Sequence, residues 1–65
     1  MKTFKVFISR TNPPAIQGVY DWSDTILATD APSAASASYQ KWLTSQPAGA
    51  VLPALTACYV KVDQI

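Results

Sequence analysis

At 65 residues the chain has room for one domain, residues 1–65, with no linker. Five Lys and Arg against four Asp leave a net charge of +1, too little for the many phosphate contacts of strong non-specific DNA binding. There is no histidine, no glutamate and one cysteine, Cys58, so most residue types that serve as general acids, bases and nucleophiles are missing.

Residues 3–9 alternate, with Phe4, Val6 and Ile8 on one face and Lys5, Phe7 and Ser9 on the other. That period of two predicts a strand. Residues 10–18 read as a loop, because Asn12 precedes Pro13 and Pro14 and Gly18 can take an unusual backbone angle. Residues 19–28 predict a second strand in two parts, with a kink or bulge from Asp21 to Asp24. In its clearer part Ile26 and Ala28 share a face and Leu27 takes the other.

Residues 29–45 carry the one helix signal. Asp30 suits the N-cap, Thr29 is a second candidate, and Pro32 falls in the first turn. Ala31, Ala35, Ser38 and Trp42 follow helical spacing, flanked by Tyr39 and Leu43, and predict the buried stripe. Ser33, Ser36, Gln40 and Lys41 are expected to face water. Residues 46–56 form an apolar connection, broken by Pro47, Gly49 and Pro53. Residues 57–63 predict the last strand, with Cys58, Val60 and Val62 on one face and Ala57, Tyr59 and Lys61 on the other.

The element order is β-β-α-β. A crossover helix joining strands two and three leaves strand one between them. The expected fold is therefore α+β, a three-stranded antiparallel or mixed sheet in order 2-1-3 with one helix on one face. Phe4, Val6, Ile8, Ile26, Ala28, Cys58, Val60, Val62, Ala35 and Trp42 form the expected core. A chain this short buries only about 60% of its unfolded surface. With 49% hydrophobic residues, it should have apolar surface to spare for a partner.

A single helix leaves the second sheet face uncovered. Lys5, Phe7, Leu27, Tyr59 and Lys61 should lie there, with Thr25 at the edge. Three readings fit. The 46–56 segment or a second copy of the chain shields the face. A protein partner docks on it, with Phe7, Leu27 and Tyr59 as anchors and the lysines as rim. Single-stranded nucleic acid stacks on Phe7 and Tyr59, with Lys5 and Lys61 on phosphates. Trp22 reads as a cover over the end of the core or as an exposed anchor. Val51, Leu52, Pro53, Ala54 and Leu55 form a second candidate surface.

Asp21 and Asp24 lack the His, Glu or Cys neighbours that a metal site uses, so turn and capping roles are expected. No cofactor or metal is expected. Cys58 reads as a small buried hydrophobe with no base to activate it. One cysteine makes no internal disulfide, which points to a reducing, cytoplasmic setting. The N-terminal apolar run Val6, Phe7, Ile8 is too short for a secretory leader, and no stretch reaches the ~20 apolar residues of a membrane span.

The opening Met1-Lys2-Thr3-Phe4-Lys5-Val6 strand, followed by Ile26-Leu27-Ala28-Thr29-Asp30-Ala31-Pro32-Ser33-Ala34-Ala35 running from strand into helix, resembles the layout of small phage and mobile-element proteins. Some anti-CRISPR proteins share its size and element order. The resemblance is one of layout and carries no site residue with it. It implies an accessory protein that docks on and inhibits or modulates a host protein or complex in the host cytoplasm, alone or as a homodimer. Near-neutral charge points to steric blocking over DNA mimicry. The expected function is thus non-catalytic protein binding, ahead of nucleic-acid binding or a structural homo-oligomer. Enzymatic activity stands last, resting on a lone Tyr or Lys.

Overall fold

The computed structural model describes all residues, 1–65. Strand β1 spans Lys2–Ser9, β2 Trp22–Ala28 and β3 Tyr59–Gln64. Helix α1 spans Ala31–Ser45, and a 3-10 turn covers Leu55–Ala57. The sheet is antiparallel in order β2-β1-β3, with β1 central, as the crossover rule requires. The molecule measures 33 × 27 × 17 Å. Its short axis is that of one helix laid on one sheet.

β1 alternates as its sequence dictates. Phe4, Val6 and Ile8 are buried beneath α1. Ala28, Ala34, Trp42, Leu52 and Cys58 complete the buried apolar core. Ile26, Val60 and Val62, expected to be core, are only half-buried because β2 and β3 are the sheet edges. Ile8 and Val6 are fully enclosed, so trimming either would leave a cavity costing roughly 1 kcal/mol or more.

Three expectations about the second strand need correction. The second strand has no kink: Trp22 to Ala28 pair without a break against Ile8 to Lys2. Asp24 makes no turn there. It lies on the helix side, where Lys41 Nζ stands 2.7 Å from its Oδ2, while its Oδ1 accepts the Thr25 N–H at 2.9 Å. Val19 and Tyr20 stay outside the strand: Val19 N–H closes a turn to the Ile16 carbonyl with Gly18 at φ 83°, and Tyr20 follows that turn.

The buried helix row is Ala34, Ser38 and Trp42, so Ala31 and Ala35 are displaced from it. The row is set by i, i+4, i+8 spacing back from Trp42. Trp22 reinforces it: its Nε1–H donates to Ser38 Oγ at 3.0 Å and its ring stacks on Trp42 at 6.3 Å. The last strand starts at Tyr59, because Ala57 and Cys58 donate backwards to Ala54 and Leu55 in the 3-10 turn.

Asp30 is the N-cap, accepting the Ser33 N–H at 2.8 Å. Hydrogen bonding from Ser33, from its hydroxyl first and then from this N–H, favours the ionised carboxylate and holds its pKa below the ordinary 3.8. A lowered native pKa means stability present in full above the unfolded value and lost as pH falls through the native one. We expect the melting temperature to fall on acidification below pH 4. Asp30→Asn, which caps without titrating, should flatten that part of the profile. An unchanged acid limb would refute this account.

The candidate functional site

The second face of the sheet is built by the other half of each alternation. Lys5 and Phe7 come from β1, Thr25 and Leu27 from β2, and Tyr59, Lys61 and Asp63 from β3. Residues 46–56 do not cover this face. Leu52 is buried in the core on the helix side, and the Tyr39 hydroxyl of α1 donates to the Pro53 carbonyl at 2.6 Å. Of the second candidate surface, Val51, at 87% exposure, and Ala54 stand out, while Leu52 is buried and Pro53 and Leu55 are half-buried.

An aromatic cluster occupies one end of the face. The Phe7 and Tyr20 rings lie 5.1 Å apart, tilted by 44°. Tyr20 stacks on Tyr59 at 5.9 Å and 12°. Lys61, directly opposite Phe7, places Nζ 5.5 Å from the Phe7 ring centre, and Lys5 places Nζ at 5.8 Å. Both lie within cation–π range. Asp63 pairs across the strands with Lys5 and stands 3.5 Å from Lys61 Nζ. The face thus carries two cations and one anion.

Pro13, Pro14, Gln17 and Gly18 of the 10–21 loop stand beside the tyrosines. With Tyr20 and Tyr59 they line a pocket of about 360 Å³. The loop is anchored by Asp21, whose Oδ2 accepts the Arg10 N–H at 2.7 Å and the Ser9 hydroxyl at 3.4 Å. That is the turn role its sequence suggested.

Four of the six anticipated site residues, Lys5, Phe7, Tyr59 and Lys61, come together. Leu27 shares the face and is 60% exposed, but it pairs with Thr3. That is four residues along β1 from Phe7, roughly 13 Å at strand rise. Trp22 is not on this face: it is held under α1 by Ser38 and Trp42. Of its two expected roles, this position is that of a cover over the core, away from the open face. Tyr20 was missed. Read as strand, it shares the parity of Trp22 and points under the helix. Lying outside the strand, it is free to cross to the other side.

No group of three or more His, Cys, Asp or Glu side chains lies close enough to hold a metal. Cys58 is buried with Sγ 3.8 Å from the Pro53 carbonyl. Burial, and then the charge of Asp21, raise its thiol pKa. We expect native Cys58 to react with iodoacetamide at neutral pH far more slowly than in denaturant. Equal rates would overturn this placement. No helix is long and apolar enough to cross a membrane.

Comparison with protein-family models, curated proteins and solved structures finds no match to this chain.

Proposed function

We propose that this chain is a non-catalytic binding protein whose uncovered sheet face docks on an acidic protein surface. The observation that carries the reading is the Phe7, Tyr20 and Tyr59 cluster flanked by Lys5 and Lys61. Clustered aromatics rimmed by charge are what interface centres use. Two lysines against one aspartate favour a partner bearing carboxylates. A composition without His or Glu supports binding over acid–base chemistry.

Nucleic acid suits the face less well. The lysines already sit over the Phe7 ring that a base would stack on. Two phosphate contacts would also give a salt slope of only about −1.4 on a single strand. In the finer reading the chain is a phage or mobile-element accessory protein. It acts in the host cytoplasm, as an anti-CRISPR-type inhibitor does, and blocks a host protein by steric cover.

The test compares wild type with Lys5→Glu as immobilised bait in nuclease-treated bacterial lysate. A labelled oligonucleotide is titrated in parallel. Selective capture of a protein by wild type alone supports the reading. Equal capture by both baits, or saturable oligonucleotide binding without protein capture, defeats it.

A further inference from the structure

The outer edge of β3 points to a second copy of this chain as its partner. We infer that two copies pair β3 to β3 antiparallel about Val62, making one continuous six-stranded sheet. Backbone direction comes first. Ile65 N–H donates to the Thr3 carbonyl at 2.9 Å, continuing the β1–β3 register. Residues 59, 61, 63 and 65 therefore turn their backbone groups toward β1. Val60, Val62 and Gln64 turn theirs outward. As β3 is an edge strand, those groups have no neighbouring strand.

The other edge is less open to such pairing. By the same alternation the outward positions on β2 are Ser23, Thr25 and Leu27. The Thr25 N–H is already taken by Asp24 Oδ1. A side chain folded back on its own edge is a known guard against strand addition. β3 carries no such guard.

Residues 59–65 read Tyr-Val-Lys-Val-Asp-Gln-Ile and are complementary to themselves about Val62. In this register Lys61 faces Asp63 of the second copy, and Asp63 faces its Lys61. Tyr59 faces Ile65, which is 73% exposed in the single chain. Val62 faces Val62, and Val60 faces Gln64. Val62 against Val62 and both Val60–Gln64 pairs are hydrogen-bonded pairs. The two Lys61–Asp63 pairs fall at the closer, non-hydrogen-bonded positions, where side chains interact best. The charged side chains are half exposed and near one another already, at 47% and 54%, so they can join the square of alternating charge.

Competing registers fail. Centring on Lys61 or on Asp63 sets like charges opposite. Centring on Val60 runs into the 3-10 turn at Leu55–Ala57. Centring on Gln64 leaves little strand to pair. Cross-strand partners share a face, so the two helices lie on one side of the joined sheet. Both aromatic clusters lie on the other.

Sedimentation across rising concentration tests this. Wild type is expected to approach twice its 7.0 kDa mass. Lys61→Asp and Asp63→Lys each set like charges opposite at two positions. Each should weaken the dimer at least about tenfold. The double variant Lys61→Asp with Asp63→Lys restores opposite pairs and should restore the dimer. Circular dichroism checks folding, and if one single variant is unfolded the other carries the comparison. A monomeric wild type at millimolar concentration overturns the proposal. So do single variants that dimerise like wild type, or a double variant that stays monomeric.

Discussion

Trp42→Ala is expected to lower the unfolding free energy by about 3–5 kcal/mol, the range for removing a large aromatic from a core. Trp42 is 2% exposed and is the hub of the helix side. Trp22 stacks on it, Tyr39 meets its edge at 6.4 Å, and the Arg10 guanidinium sits 5.7 Å from its ring. A domain of this length has roughly 3–10 kcal/mol in total at typical per-residue stability. The substitution therefore removes between a third and all of it. Chemical denaturation monitored by far-UV circular dichroism measures the loss. Val51→Ala, at an exposed loop position, is the control and should leave the midpoint unchanged. A Trp42→Ala midpoint near that of wild type would mean that α1 does not depend on this ring.

Why Trp42 was legible and its neighbours were not is a matter of range. Alternation in β1 and helical spacing around Trp42 are local signals, and both predict the buried face. The order 2-1-3 followed from connection rules applied to three elements. Asp24 misled because an aspartate is usually read by its own backbone preference, as a turn residue. Its actual role is set by Lys41, seventeen positions away, together with the edge N–H of Thr25. Ala34 displaced Ala35 for a similar reason. Two small residues in succession fit the stripe equally well until Trp22 and Ser38 fix the rotation of the helix. Leu52 entered the core from a segment with no periodicity to read, held there by the Tyr39–Pro53 bond.

The site was half legible on the same grounds. Phe7, Lys5, Tyr59 and Lys61 lie on regular strands, where parity alone assigns a face. Tyr20 comes from a loop, where parity means nothing, and its position depends on Asp21 tying the loop end to Ser9 and Arg10. Those two tyrosines, with Pro13 and Pro14, give the face a concave end that the strands alone do not provide.

Phe7→Ala is expected to reduce affinity for a captured protein partner by about thirtyfold to a thousandfold, the 2–4 kcal/mol of an interface hot spot. Its cost to the fold should be smaller, about 1–2 kcal/mol, because the ring is only half-buried and lies off the helix-side core. The asymmetry arises from what the ring organises. Phe7 orients Tyr20 on one side, and Lys5 and Lys61 converge on its face. Without it the two cations lose their common seat, and the Tyr20–Tyr59 stack loses the neighbour that tilts against it. Leu27→Ala, on the same face but about 13 Å along the strand, should change affinity by less than about fivefold. Surface plasmon resonance with the captured partner measures both, and urea denaturation measures the stability cost. If Leu27→Ala is the more damaging, the docking centre lies at the far end of the sheet. If Phe7→Ala binds as wild type does, the aromatic cluster packs the loop down and is not the docking surface.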